Sequence, residues 1–253
     1  MRTQIPIFPQ FKPKAFKLQS LASGIQHMLH FKDEFETPDL KIIRHCIGSF
    51  AVNTYLLICK KTHAAAIIDP GGEKDAILQC IEENSAKIDY LLFTHTHIDH
   101  IVAADALKKA LPQARIAYHA KEQAVVENIP DMCRMFGVPT ATMPPLEVDL
   151  EKFPEFSLGN LQIRALETPG HTPGGVCFYL AENAICFTGD TLFKGSVGRT
   201  DFEGGNGRDL RKSLDKLIDI LPDNVKILPG HGKFSTMKDE KLGNFYLRID
   251  RFR

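Results

Sequence analysis

The sequence has no surplus of either charge: lysine plus arginine and aspartate plus glutamate each number 31. Without net positive charge there is no general electrostatic pull toward nucleic acid or an anionic membrane, so neither is expected as a partner. Long apolar runs are also missing. None approaches the roughly 18–20 residues that a membrane span requires. The opening Met1-Arg2-Thr3-Gln4-Ile5-Pro6 has no continuous apolar core, and prolines at 6, 9 and 13 interrupt it, which argues against a secretory signal. No CxxC pair occurs among the cysteines at 46, 59, 80, 133, 177 and 186. Several sit within apolar stretches, such as Val176-Cys177-Phe178 and Ile185-Cys186-Phe187. Free, buried thiols in a reducing cytoplasm are therefore expected rather than a disulfide framework. No internal repeat of short fixed period is present.

What is there is ordinary for a globular chain: 253 residues, 43% apolar and 25% charged, ample for a sizeable core. Residues 1–40 are weakly periodic and proline-containing, and read as an N-terminal extension to a domain spanning 41–253. From residue 41 short alternating runs predict strands over Lys41–Ile47, Thr54–Cys59 and Ala64–Asp69, closed by the turn Pro70-Gly71-Gly72. A helix is expected over Glu73–Asn84, a strand over Ile88–Phe93 and a single helix over Asp99–Leu111 ending at Pro112. Ala114–Tyr118 reads as a strand and Ala120–Asn128 as a helix. Ile129–Gly159 carries prolines at 130, 139, 144, 145 and 154 and reads as a long irregular segment of the kind that forms lids. Strands resume over Leu161–Glu167, Gly175–Leu180 and Ala184–Thr188. Arg208–Leu221 places Leu210, Leu214, Leu217, Ile218 and Leu221 on one helical face. Val225–Leu228 is a last short strand. Two strand-rich halves, roughly 41–128 and 159–235, suggest two packed sheets flanked by helices.

The chemistry concentrates in Thr94-His95-Thr96-His97-Ile98-Asp99-His100, which follows the apolar run Tyr90-Leu91-Leu92-Phe93. Imidazole and carboxylate are the ligands that suit zinc and similar divalent metals. The same device recurs downstream. Thr168-Pro169-Gly170-His171-Thr172-Pro173-Gly174-Gly175, Phe187-Thr188-Gly189-Asp190-Thr191 and Leu228-Pro229-Gly230-His231-Gly232 each end a strand and present one ligand-type residue on a tight turn. Ligands on loops held by a rigid sheet are what a preorganised metal site requires. A lone histidine after a strand is more often a satisfied surface or core residue, and His45, His63 and His119, with His27 and His30 in the extension, are read that way.

The order HxHxDH, GHTPG, GDT and PGHG resembles the metallo-β-lactamase-fold hydrolase superfamily, over roughly residues 45–245. Asn53-Thr54-Tyr55-Leu56 and Ile67-Ile68-Asp69-Pro70-Gly71-Gly72 resemble its opening strands. Gly198-Arg199-Thr200-Asp201-Phe202 resembles the glyoxalase-II-like and persulfide-dioxygenase branch. Met135-Phe136-Gly137, with His231-Gly232 and Thr236, is similar to the short bacterial glyoxalase-II-like (hydroxyacylglutathione hydrolase-like) proteins. One departure is Ile101-Val102-Ala103-Ala104, where the family often has a glycine. The resemblance implies an α+β fold, the αββα four-layer sandwich. It implies two divalent metal ions, zinc foremost and otherwise iron or manganese. His95, His97 and His171 would bind one, Asp99, His100 and His231 the other, and Asp190 would bridge them. Asp69 has the position of a carboxylate that orients ligands.

Two metals about 3.5–4 Å apart supply a hydroxide at neutral pH. The expectation is hydrolysis of a small-molecule thioester by a metal-bridging hydroxide, with Asp99 orienting it and accepting its proton. Arg199 is the candidate contact for a substrate carboxylate, unless Asp201 or Glu203 claims it; Phe202 and Phe136 are candidate walls of the site, and Lys194 is a weaker candidate. A mononuclear iron persulfide dioxygenase resembles this branch too, but that family typically lacks the PGHG form that supplies His231. A non-catalytic metal-binding scaffold is disfavoured because all seven ligand positions are intact. A secreted β-lactamase is disfavoured by the missing signal, and a nuclease by the absence of a basic surface or added domain. Full-length glyoxalase II carries a C-terminal helical domain that helps bind glutathione, whereas this chain ends at residue 253, soon after His231. The sequence does not set the oligomeric state.

Overall fold

The computed structural model describes residues 31–248. Most of the expected extension, with His27 and His30, lies outside the described residues. The first half of the chain supplies β1 (Phe31–Glu36), β2 (Leu40–Ile47), β3 (Val52–Cys59), β4 (Ala64–Ile68), β5 (Lys87–Leu92), β6 (Arg115–Tyr118) and β7 (Val148–Asp149). They form one sheet in sequence order, antiparallel from β1 to β4 and parallel from β4 to β7. This sheet begins at Phe31, ahead of the boundary expected at residue 41, because β1 pairs along its whole length with β2. The second half supplies β8 (Glu155–Leu158), β9 (Leu161–Glu167), β10 (Val176–Leu180), β11 (Ile185–Gly189), the hairpin β12 (Leu192–Phe193) and β13 (Ser196–Val197), β14 (Lys226–Pro229) and β15 (Ser235–Thr236). Apart from the hairpin these form a six-stranded sheet in the order β15-β14-β11-β10-β9-β8, in which β11 and β14 run parallel.

The period-two alternation of the strands builds the layers. In β3 and β4, Leu56, Ile58 and Ile67 face one core cluster, which is shared with helices α1 (Lys74–Glu83), α2 (Ile98–Ile101) and α3 (Ala104–Ala110). Their neighbours Tyr55, Leu57 and Ile68 face the opposite way, into a central cluster with Ile163, Phe178 and Phe187 of the second sheet. The far side of that sheet, through Cys177, Cys186 and Ile227, packs on Leu210, Leu214 and Leu217 of the long amphipathic helix. Helix, sheet, sheet, helix is the αββα sandwich. Both inner sheets are covered on two faces, which is why their strands read as near-continuous apolar runs. All six cysteines are free, five of them buried. Among the described residues no helix is long and apolar enough to cross a membrane.

Two sequence expectations are corrected. The helix expected over Asp99–Leu111 is broken into α2 and α3. The Ala103 N–H donates to the Pro70 carbonyl at 2.9 Å, so the loop after β4 takes a hydrogen bond that a continuous helix would need. The segment Ile129–Gly159 is not irregular throughout. After a 3₁₀ turn over Ala120–Glu122 and α4 (Gln123–Glu127), it opens with α5 (Ile129–Phe136). Pro130 sits in the first turn of α5, where its missing N–H is not needed, and Gly137 closes the helix in the left-handed region at φ 64°. The other prolines fall after the helix, in residues 137–147 and 150–154, which lack regular structure. Two further helices, α6 (Gly207–Ile220) and α7 (Met237–Gly243), follow, with the short α8 (Phe245–Arg248) at the end of the described chain. Asn206 caps α6, its Oδ1 accepting from the N–H groups of Arg208 and Asp209.

Candidate metal centre

The parallel strands β5 and β14, together with β11, end at one rim of the sandwich, where open α/β sheets commonly present ligands. His95, His97, Asp99 and His100 follow β5, Asp190 follows β11 and His231 follows β14. His171 comes from the loop between β9 and β10. Backbone hydrogen bonds fasten the ends to one another: Val176 N–H to the Thr94 carbonyl at 2.9 Å, Asn53 N–H to the Gly230 carbonyl at 2.7 Å and Gly230 N–H to the Gly189 carbonyl at 2.8 Å.

All seven sequence-predicted ligands meet there. Their ligand atoms form three overlapping groups, each within 4.8 Å: His95, His97 and His171; His95, His100 and Asp190; Asp99, His100 and His231. His97 Nδ1 lies 3.0 Å from His171 Nε2. One Asp190 oxygen is 3.6 Å from both His171 Nε2 and His231 Nε2, and the other is 3.5 Å from His100 Nε2. Asp190 thus faces both ends of the cluster. Asp99 Oδ2 is 3.1 Å from His231 Nε2 and 3.6 Å from His100 Nε2.

The charge balance of the cluster suits cations. Burial pushes His95 well below its usual range, and burial with the neighbouring His171 takes His97 down to about 3, so both rings stand neutral with lone pairs available. Burial also opposes charge on His100, but Asp99, Asp190 and Asp69 outweigh it and push that ring up to about 10. His231 is raised in the same way, with burial overcome by Asp99 and Asp190. Burial would raise Asp99, yet His100 and His231 hold it below the usual carboxylate range. The carboxylates therefore call for positive charge at this end of the cluster. A second sign is that buried His95 Nε2, His100 Nε2 and Asp190 Oδ1 have no hydrogen-bond partner among the described residues. An orphaned buried polar atom costs about 1–3 kcal/mol. Three such atoms aimed into one histidine and carboxylate cluster fit divalent metal, whose coordination would satisfy them.

The rings are held from behind. Asp69 takes the Thr94 N–H at 2.8 Å and the Thr94 hydroxyl at 2.6 Å, and its Oδ2 lies 3.1 Å from His100 Nδ1. Asp69 thus stands behind the cluster, as its place in the sequence implied. Thr94 Oγ1 is 3.1 Å from His95 Nδ1. His171 Nδ1 donates to the Arg199 carbonyl at 2.7 Å. No local pattern singles out Glu122, which is fully buried. One of its oxygens accepts from the Thr96 N–H at 2.8 Å and the Thr96 hydroxyl at 3.0 Å; the other accepts from the Gly174 N–H at 2.8 Å. A single carboxylate therefore ties the His95–His97 loop to the His171 loop.

Glycine serves close approach as much as turning. A Cβ on Gly230 would stand 2.3 Å from Asp190 Oδ1 and 2.8 Å from His100 Cε1. At Gly170, φ is 137° and a Cβ would stand 2.2 Å from the Leu210 nitrogen.

Beside His97 lies a cleft of about 130 Å³, walled by Val125, Met132, Met135, Phe136, Pro173 and Phe202. Phe202 meets His97 edge-on at 5.6 Å and Phe136 at 6.1 Å. Phe136 and Phe202, the candidate walls of the site, both line this cleft. Arg199 is different: its guanidinium forks onto Asp201 at 2.5 and 2.6 Å and lies over the Phe202 ring at 4.0 Å. Of the two roles open to Arg199 in the sequence, the structure shows the ion pair.

The metallo-beta-lactamase superfamily model matches residues 47–231. The chain belongs to the metallo-beta-lactamase superfamily. Among curated relatives it is 37% identical to hydroxyacylglutathione hydrolase GloC of Haemophilus influenzae over 185 residues, which is 72% of this chain and 87% of that one. Among solved structures it resembles the BLEG-1 B3 metallo-beta-lactamase, with a TM-score of 0.76 and 31% identity, covering 82% of this chain and 99% of that one. It also resembles TTHA1623 in a di-iron-bound form, with a TM-score of 0.71 and 33% identity, covering 79% and 98%. As a member of the metallo-beta-lactamase superfamily the chain is a metallo-hydrolase, and its His/Asp cluster is a divalent-metal site. The matched span runs from the end of β2 to His231 and so includes every ligand-type residue of the cluster.

Proposed function

We propose that this metallo-hydrolase cleaves thioesters, of the S-acylglutathione or a related acyl-thiol class, in the cytoplasm. One observation carries the reading: the converging cluster is made of histidine and aspartate alone, with orphaned donor atoms and no serine or cysteine among its members. The nucleophile is then water. The 37% identity to a hydroxyacylglutathione hydrolase supports the thioester as the bond attacked.

His95, His97 and His171 would hold one divalent ion and Asp99, His100 and His231 a second, with Asp190 between them. When bound, such a pair acidifies water and polarises a carbonyl. The nitrogen and oxygen donors accept zinc, iron or manganese, and we take zinc as the resident ion. The remaining work falls to the chain. Thr94, Asp69 and the Arg199 carbonyl fix the rings of His95, His100 and His171. Asp99, kept ionised, orients the attacking water and takes its proton. The water oxygen adds to the thioester carbon, the C–S bond breaks, and Asp99 returns the proton to the departing sulfur. A carboxylic acid and a thiol leave. Phe136 and Phe202 keep bulk water from the side of His97. We assign Arg199, already forked onto Asp201, to holding Phe202 and the His171 loop rather than to a substrate carboxylate.

The test is metal analysis of the purified protein together with a thioester panel. Two ions per chain and hydrolysis of S-lactoylglutathione or another acyl thiol are expected. One iron per chain with oxygen uptake on a persulfide would replace this reading with the dioxygenase, and bound metal without turnover of any substrate would replace it with a scaffold.

A further inference from the structure

The cleft beside His97 differs in character from the cluster it adjoins. Its walls are Val125, Met132, Met135, Phe136, Pro173 and Phe202, and among the described residues no lysine or arginine lines it. The charged group that does line it is a carboxylate, Glu203, whose Oε2 accepts from Asn128 Nδ2 at 2.8 Å. Arg199, whose charge acts on His97, lies over the Phe202 ring and is forked onto Asp201. An anionic group in this cleft would lose water, find its one nearby guanidinium already paired with Asp201, and face Glu203. An apolar group would gain contact with methionine, phenylalanine and valine.

The opposite end of the cluster has another chemistry. Phe193 of the β12–β13 hairpin meets His231 edge-on at 6.3 Å. The residue after it, Lys194, and Lys233, two residues beyond His231, are both exposed. Two exposed lysines thus lie close to His231 in the chain, and apolar walls stand at the His97 end.

We propose that the His97 cleft is an acyl-binding site for an apolar, uncharged acyl chain, and that the thiol arm of the substrate lies toward the His231 end. This rests on the thioester reading and names its substrate class. The carbonyl sits at the cluster, its alkyl or aryl substituent lies beside His97 along the Phe136 and Phe202 wall, and the anionic groups of a thiol such as glutathione stay outside the cleft. Preferred substrates thus carry a hydrocarbon acyl group rather than a dicarboxylic one.

The metal-loaded enzyme tests this with acetyl, butanoyl, hexanoyl and succinyl thioesters of one thiol, N-acetylcysteamine. Each methylene taken from water into the cleft is worth about fourfold. The kcat/KM should therefore rise more than tenfold from acetyl to hexanoyl, and butanoyl should exceed succinyl, of equal carbon number, by more than tenfold. Phe202→Ala should compress the hexanoyl-to-acetyl ratio. Glu203→Lys, at an exposed position, should raise the succinyl-to-butanoyl ratio about tenfold. Ratios within one preparation are insensitive to the fraction folded. Calorimetric binding of a 2-oxoalkyl thioether, which has a methylene between carbonyl and sulfur and cannot be hydrolysed, should tighten with chain length in the same order. Turnover of all four esters at similar rates, or ratios that ignore both variants, would overturn the acyl site while leaving the thioester reading intact. No turnover of any thioester would sink the thioester reading itself; the calorimetric series then decides the cleft, and chain-length-independent binding overturns it.

Discussion

Replacing Glu122 by glutamine exchanges one carboxylate oxygen for an amide nitrogen and leaves the shape nearly unchanged. In the native chain the two oxygens serve different loops, one taking the Thr96 N–H and hydroxyl and the other the Gly174 N–H. Glutamine has a single acceptor oxygen, so one of these backbone N–H groups must face an NH₂. A hydrogen bond to a charged group contributes about 1.5–3 kcal/mol, and an orphaned buried donor costs about 1–3 kcal/mol. The variant should therefore lose roughly 2–4 kcal/mol of stability, and Glu122→Ala, which strips both acceptors and opens a void, more. The loss falls between two metal-ligand loops, because Thr96 separates His95 from His97 and Gly174 lies three residues beyond His171. Removing groups that orient ligands typically weakens metal binding 10–100-fold. Urea unfolding of the metal-free protein reads the stability, and competition with a chromophoric chelator reads the affinity. A Glu122→Gln protein whose unfolding midpoint and chelator competition both match the parent would refute the idea that this carboxylate holds the two loops together.

Three further outcomes are expected. In the metal-free protein, His100 is pushed up to about 10 by its carboxylates against burial, so its contribution is complete below its ordinary 6.5 and disappears as pH rises through 10. His97 is held down to about 3 by burial and His171, so stability is lost as pH falls from 6.5 toward 3. Thermal melting of chelator-treated protein should thus peak near neutral and fall on both sides, and a flat profile between pH 7 and 10 would contradict the His100 argument. Gly230→Ala should reduce bound metal at least about tenfold after dialysis by driving a methyl group against Asp190 and His100; full occupancy would count against the close-approach argument. His231→Ala, at a side chain still 27% exposed, should change metal-free stability by under about 1 kcal/mol. It should nevertheless remove one of the two ions and cut hydrolysis about 100-fold or more; an unchanged rate would refute the two-ion arrangement.

The convergence of the seven histidine and aspartate side chains was legible because they follow strand ends. A short apolar run followed by glycine and a histidine or aspartate announces both the strand and the residue it presents, as at Leu228-Pro229-Gly230-His231. The long helix was legible from the spacing of Leu210, Leu214, Leu217 and Ile218, all buried as expected. What escaped depends on partners distant in sequence. The break between α2 and α3 follows from the Pro70 carbonyl, and nothing in Ile101-Val102-Ala103-Ala104 encodes it locally. The α5 helix was hidden because Pro130 counted as one breaker among several, although a proline in a first turn favours a helix. Glu122 looked like any other polar residue near a helix start.

By itself the sequence determined the period-two strands, the amphipathic helix, the positions of seven donors at strand ends and, through their order, the family. These are local patterns, set by side-chain chemistry and by spacings of a few residues. Only the tertiary structure decided that Asp190 faces both ends of the cluster, that Arg199 pairs with Asp201, that one buried carboxylate joins two loops, and that the rim is apolar beside His97. Those features are distances between residues far apart in the chain. They are set by how two sheets pack through a shared core, which no local pattern states.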